Sequence, residues 1–135
     1  MRVLGLDVGE SRVGVAASDP MGTTAQPLET VKRDEKTLDR LREIAEELEA
    51  DSFVIGLPVL MDGTEGAQAR LVREFALSLE DSVGLPITFV DERLTTRLAE
   101  SVLAGEPIGH REKKEAADRI AAALILRTYL DGIER

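Results

Sequence analysis

The hydrophobic pattern of this chain changes its period near residue 34, and that change limits the folds available to it. Before this point, three apolar runs of strand length, Val3–Leu6, Val13–Ala17 and Pro27–Lys32, follow one another with short links. After it, stretches with helical spacing alternate with two further strand-like runs. Short links predict antiparallel pairing of the first strands, whereas strand–helix alternation predicts parallel pairing through right-handed crossovers.

The second part of the chain alternates between helix and strand. Its predicted elements are, in order, a helix from an N-cap at Asp34 to Leu48, the strand Ser52–Leu57, a helix ending at Gly84, the strand Pro86–Val90, and helices over 95–103 and 112–130. The third of these elements carries an apolar stripe of Ala67, Leu71, Phe75 and Leu79. We therefore expect one α/β domain over residues 1–135, a mixed five-stranded sheet with antiparallel front strands and helices on both faces.

Composition restricts the class of protein further. Apolar residues make up 43% of the chain but aromatic residues only 3%, so the core must be aliphatic. The absence of cysteine excludes disulfide scaffolds and cysteine-ligated metal sites, and fits a reducing compartment. No apolar run has the length of a membrane span, and Asp7 comes too early for the apolar region of a signal peptide. We expect a cytoplasmic protein with no membrane partner.

Acidic residues occur at the carboxyl ends of predicted strands, where α/β proteins usually have their functional sites. Asp7 ends the first strand, and Asp91 and Glu92 follow the last one. The carboxyl ends of parallel strands lie along one edge of a sheet, so Asp7 and Glu92 meet if their strands are neighbours. Asp118 lies on the packed side of an apolar helix, where an acid is costly unless it is paired or binds a cation.

Together these acids form a candidate metal site. Three converging carboxylates repel one another, and a hard cation such as Mg²⁺ or Mn²⁺ removes that repulsion. Asp7, Glu92 and Asp118 are the candidate catalytic and metal-binding residues of a phosphoryl-displacement site. Each also has an ordinary explanation: Asp7 as a turn acid, Glu92 as part of a solvated loop, and Asp118 as a helix cap or a partner of Arg119.

Basic residues near these acids are the candidate contacts to nucleic acid. They are Arg93 and Arg97 beside Glu92, and Arg111, Lys113 and Lys114 before Asp118. Asp91 and Gly63 are secondary candidates, and Arg12 either shapes the turn after the first strand or pairs with an acid. The net charge of −9 weighs against simple binding of a phosphate backbone, so any such role needs a local basic patch, bound cations or a partner.

Four motifs in order make the sequence resemble the YqgF family, also called RuvX. They are Leu4–Gly9 with Arg12–Ala16, Gly56–Pro58 with Met61–Thr64, Asp91–Thr96, and Asp118 followed by Ala121–Ala122 and Ile125–Leu126. The resemblance implies a ribonuclease H-like fold and a divalent-metal nuclease that matures the 5′ end of 16S rRNA, with structured precursor rRNA and ribosomal particles as partners. It also implies Asp7, Glu92 and Asp118 as the metal-binding acids. Leu60 and Glu10 depart from the family pattern, which puts loop contacts in doubt.

Other functions remain open at this point. The same chemistry serves branched DNA such as a Holliday junction, and the chain alone does not choose between the two substrates. A non-catalytic module that binds nucleic acid or the ribosome would suit the negative charge. Asp7–Gly9 would also suit the phosphate-binding turn of a sugar kinase, but that fold needs two such domains, and the chain is too short for both.

Overall fold

The computed structural model describes residues 1–92, 99 and 103–132. The elements are β1 (Val3–Val8), β2 (Arg12–Ser18), β3 (Ala25–Lys32), α1 (Thr37–Glu47), β4 (Ser52–Leu57), α2 (Ala67–Val83), β5 (Ile87–Asp91) and α3 (His110–Gly132). The helix predicted over 95–103 lies outside the described residues except for Ala99 and Leu103. No helix within the described ranges is long and apolar enough to cross a membrane.

The five strands form one mixed sheet in the order β3-β2-β1-β4-β5. β2 pairs antiparallel with both β1 and β3, as the short links predict. β4 runs parallel to both β1 and β5, as the strand–helix alternation predicts. The carboxyl ends of β1, β4 and β5 therefore lie along the same edge.

Successive side chains of each strand face opposite sides of the sheet, and each side has its own core. On one side α1 and α2 cover a large aliphatic cluster that includes Leu4, Leu6, Val13, Val15, Phe53, Ile55, Leu41, Ile44, Val72 and Leu79. On the other side α3 covers a smaller cluster of Val3, Ala16, Val54, Ala122, Ile125, Leu126 and Leu130. The predicted helices on both faces and the mixed sheet are confirmed.

The α3 side of the sheet carries glycines where the helix comes closest. A Cβ atom added to Gly5 would lie 2.7 Å from Leu126 Cβ and 2.8 Å from the carbonyl oxygen of Ala122. Both distances are shorter than packed carbon and oxygen atoms tolerate. The glycine in β1 thus lets the backbone of α3 approach the strand.

Two details of the helices differ from prediction. Asp34 is not the N-cap of α1; its Oδ1 accepts a hydrogen bond from the Lys36 N–H in a turn before the helix, which begins at Thr37. The buried stripe of α2 runs through Ala69, Val72, Phe75, Ala76 and Leu79, while Ala67 and Leu71 are exposed. Phe75 and Leu79 belong to both stripes, so helical spacing alone did not fix the orientation of the helix.

Candidate active site

Asp7 lies on the α3 side of β1, near the carboxyl end of the strand. Its side chain follows Val3 and Gly5 in the alternation, and Val3 belongs to the core beneath α3. In the pairing of β1 with β2, Asp7 is opposite Gly14. The acid is therefore placed between the central strand and the closing helix.

Glu92 reaches Asp7 across an intervening strand. The two acids were expected to meet if their strands were neighbours; they meet although β4 lies between β1 and β5. The Glu92 N–H donates to the carbonyl oxygen of Leu57 (3.1 Å), which extends the β4–β5 pairing by one residue. A Cβ atom on Gly56 would lie 2.8 Å from Glu92 Oε2, so the carboxylate lies over that glycine. From there it forms a side-chain hydrogen bond with Asp7.

The two acids share a proton. Burial, the hydrogen bond to Asp7 and the negative charge of Asp7, in decreasing order of effect, together raise the pKa of Glu92 to about 10. Burial also raises the pKa of Asp7; the hydrogen bond from Glu92 opposes this rise, and the charge of Asp118 adds to it. At neutral pH Glu92 is therefore the protonated donor and Asp7 the acceptor. Two adjacent buried carboxylates cannot both ionise without a compensating positive charge.

This arrangement predicts an unusual dependence of stability on pH. Because the pKa of Glu92 is higher in the folded chain than its ordinary value of 4.5, the folded state binds the proton more tightly. The contribution of this group to the free energy of unfolding should be greatest below pH ~4.5 and should be lost as pH rises towards 10. Urea unfolding in metal-free buffer between pH 5 and pH 9 measures this decline.

Glu92→Gln removes the titrating group while keeping the hydrogen-bond donor, so its unfolding free energy should change less across this range. Asp91→Asn is the matched control, since Asp91 is the neighbouring exposed acid. We expect it to retain the decline of the unaltered chain. Equal slopes for all three proteins would show that Glu92 does not hold a proton at neutral pH.

Asp118 lies on α3 above β2 and is paired with Arg12. The Arg12 Nε atom donates to Asp118 Oδ2 at 2.6 Å, and the two side chains are 34% and 20% exposed. Arg12 therefore pairs with an acid, which was one of the two alternatives left open by the sequence. Arg119, the alternative partner considered for Asp118, instead donates from Nη1 to Thr30 Oγ1 at 3.0 Å.

Gly14 sets the distance between Asp118 and the sheet. A Cβ atom at this position would overlap the backbone carbonyl of Asp118 and lie 3.0 Å from its Cβ. Gly14 and Gly56 thus flank Asp7, one admitting α3 and the other admitting Glu92. Neither role was predicted from the sequence, although a glycine between two valines of a strand, as in Val13–Val15, is a known sign of close backbone approach.

The three acids are not gathered into one cluster. Among the described residues, no group of three or more Asp, Glu or His side chains is arranged to hold a metal ion. Asp7 and Glu92 are in contact, whereas Asp118 acts on Asp7 through its charge and is bound by Arg12. The donor chemistry still fits a hard cation: all the candidate ligands are carboxylate oxygens, and no cationic side chain within residues 1–92, 99 and 103–132 is among the groups that shift the pKa of Asp7 or Glu92.

The secondary candidates lie elsewhere. Asp91 is exposed, and the alternation of β5 places it on the side of Phe89, opposite the face that carries Val90 and α3. Gly63 lies in an exposed turn with φ +89°, where its N–H donates to the carbonyl oxygen of Leu60, and this turn explains the glycine. Arg93 and Arg97 lie outside the described residues.

The basic segment before Asp118 divides into two parts. Lys113 and Lys114 line a cavity of about 480 Å³ together with Arg12 and Asp118. The Arg111 side chain is 90% exposed and its Nε atom lies 3.4 Å from Glu115 Oε1, on the helix surface. Of the three basic side chains predicted in this segment, the two lysines lie beside a candidate catalytic acid and Arg111 does not line the cavity.

Comparison with known proteins identifies the family. The sequence model of RuvX, described as "Holliday junction resolvase", matches residues 1–132. This chain belongs to the RuvX family. Curated relatives include proteins named "Putative pre-16S rRNA nuclease" from Syntrophomonas wolfei, 44% identical over 98% of this chain and 95% of the relative. A protein of the same name from Leuconostoc citreum is 48% identical over 98% and 96% of the two chains.

Solved structures place the RuvX chain in the ribonuclease H-like fold. RuvC of Thermus thermophilus, in complex with a Holliday junction substrate, is 16% identical with a TM-score of 0.57, covering 99% of this chain and 98% of the other. The Holliday junction resolvase of fowlpox virus is 14% identical with a TM-score of 0.55, covering 98% and 100%. At these identities the likeness concerns the fold, which agrees with the fold expected from the sequence.

Proposed function

We propose that this RuvX-family chain is a divalent-metal-dependent nuclease that hydrolyses phosphodiester bonds of RNA, and that precursor 16S rRNA is its substrate. The contact between Asp7 and Glu92 carries the proposal, because two buried carboxylates that share a proton need a cation to ionise together. The names of the curated relatives support rRNA as the substrate. The absence of cysteine from this chain supports the cytoplasm, a reducing compartment, as its location.

Asp7 and Glu92 would hold Mg²⁺ or Mn²⁺, and Asp118 would complete the ligand set once it is released from Arg12. A divalent cation bound there would neutralise the acids, lower the pKa of a water molecule and offset charge on the phosphate. The chain itself fixes the carboxylates in place. β1 positions Asp7, Gly56 lets Glu92 lie over β4, and the buried Ile125 side chain of α3 packs on the same glycine.

The charge distribution of this acidic chain suits contact with nucleic acid only over a small basic area. The chain has a net charge of −9, so its affinity for nucleic acid must come from a small basic area and from bound cations. Lys113 and Lys114 supply such an area next to Asp118. Ribosomal particles, as the setting in which precursor rRNA occurs, are the proposed partner.

The experiment that tests the proposal is cleavage of three substrates in parallel with increasing Mg²⁺ or Mn²⁺. They are a structured RNA carrying the 5′ end of precursor 16S rRNA, a four-way DNA junction, and an unstructured RNA. We expect cleavage of the structured RNA that requires the metal and stops when the metal is chelated.

The other outcomes separate the competing functions. Cleavage of the junction with the structured RNA left intact would favour a resolvase, the alternative supported by the name of the matched family. Metal-independent binding of RNA without cleavage would favour a non-catalytic module. Rapid cleavage without metal would contradict the role given to the carboxylates.

A further inference from the structure

The cavity beside Asp118 is lined by several basic groups. Its lining includes Arg12 from β2 and His110, Lys113 and Lys114 from the first turns of α3, with Asp118 as the acid. Leu103, Ala104 and Ala117 contribute its apolar part. The cavity has a volume of about 480 Å³ and is thus large enough for a phosphate with its sugar.

The two lysines of this cavity have no acidic partner at ion-pair distance in the described part of the chain. Within the described ranges, neither Lys113 nor Lys114 forms an ion pair, whereas Arg111, Arg127 and Arg40 all do. Lys113 is half-buried and Lys114 exposed. In an acidic chain, two lysines without acidic partners around a cavity constitute a local site for an anion.

Arg12 lines this cavity and is paired with Asp118. Only its Nε atom is engaged by Asp118, at 2.6 Å, and the structure records no partner for its Nη atoms among the described residues. Both members of the pair are partly exposed, at 34% and 20%. Ion pairs with this exposure are weak, so a cation that binds Asp118 directly can displace the arginine.

We propose that this cavity binds a backbone phosphate next to the one that is cleaved, and that Arg12 is its switching residue. Before a metal ion binds, Arg12 neutralises Asp118; when the ion takes Asp118, the guanidinium donates to the phosphate instead. Binding of metal and of nucleic acid are thereby coupled through one side chain. The inference rests on the proposed nuclease function and adds to it a subsite and a positioning residue.

The phosphate subsite is tested by RNA binding in the Asp7→Asn background, which is meant to prevent cleavage. Fluorescence anisotropy with a labelled structured RNA is measured at several salt concentrations. Lys113→Ala and Lys114→Ala should each weaken binding and reduce the slope of log K against log salt by about 1. Arg127→Ala is the matched control, because it removes a cation from the far end of α3, where its Nε atom lies 3.1 Å from Asp131 Oδ1 and it does not line the cavity; its slope should stay the same.

The role of Arg12 is tested with Mn²⁺ alone and then with RNA. Without RNA, Arg12→Ala should bind Mn²⁺ about fivefold more tightly, since a competing cation is removed. With Mn²⁺ present, the same variant should bind RNA more weakly. A purely structural role would lower both affinities together. Arg12→Gln, which keeps a hydrogen-bond donor, provides the same comparison if Arg12→Ala does not fold.

The outcomes distinguish this inference from the proposed function. If the unaltered chain cleaves RNA but the lysine variants match Arg127→Ala, the subsite is wrong while the nuclease stands. Unchanged or weaker Mn²⁺ binding by both Arg12 variants would overturn the switching role. If the unaltered chain neither binds nor cleaves RNA, the proposed function fails and this inference fails with it.

Discussion

Asp7→Asn should abolish cleavage while making the fold more stable in the absence of metal. The substitution removes one of the two acids that share a proton, so the proposed cation loses a ligand, and we expect the cleavage rate to fall about a thousandfold. The same change replaces a buried carboxylate, whose pKa is raised by burial, with a neutral amide. It should therefore raise Tm in metal-free buffer. Rates of RNA cleavage and thermal unfolding of the same preparations measure both effects.

Asp91→Asn is the control for this experiment. Asp91 directly precedes Glu92 but is exposed on the other side of β5, so its loss should leave both cleavage and Tm close to those of the unaltered chain. If Asp7→Asn retained substantial cleavage, the assignment of the acid to the reaction would be wrong. If it lost cleavage together with stability, the loss of activity would reflect unfolding.

Among substitutions that add one methyl group to a glycine of the sheet, Gly14→Ala should cause the largest loss of stability. The new Cβ would overlap the backbone carbonyl of Asp118, and both partners are backbone held within regular elements, so neither can move without displacing α3. We expect a loss of about 3 kcal/mol, or about 10 °C in Tm. Urea unfolding and calorimetry measure it.

Gly109→Ala provides the comparison, since a Cβ atom there meets nothing within 4 Å. It should change the free energy of unfolding by less than about 0.5 kcal/mol. Equal stability of the two variants would mean that α3 does not lie against β2 as closely as described. A loss confined to Gly14→Ala would support the placement of Asp118 over the sheet.

The architecture could be predicted from the chain because it depends on local spacing. Link lengths separated the antiparallel strands from the parallel ones, and the change of period near residue 34 located the first helix. The orientation of α2 could not be predicted, because Leu71 and Val72 are adjacent and both fit a helical stripe with Phe75. Packing against the sheet, which is a tertiary interaction, made that choice.

The sequence could supply candidate site residues but not their contacts. Strand ends and an acid on an apolar helix pointed to Asp7, Glu92 and Asp118, yet the order of the strands was needed to show that Glu92 crosses β4 to reach Asp7. The pairing of Arg12 with Asp118 joins residues 106 positions apart. No local pattern specifies such a contact, and it decides whether the third acid is available to a cation.

The closing helix completes the proposed site. α3 carries Asp118, covers the sheet face on which Asp7 lies, and is the last element of the described chain. All five strands precede α3, so during synthesis the sheet face that carries Asp7 is uncovered and Asp118 is missing until α3 emerges. Under the proposed function, a chain still in synthesis at the ribosome should therefore lack the complete set of carboxylates.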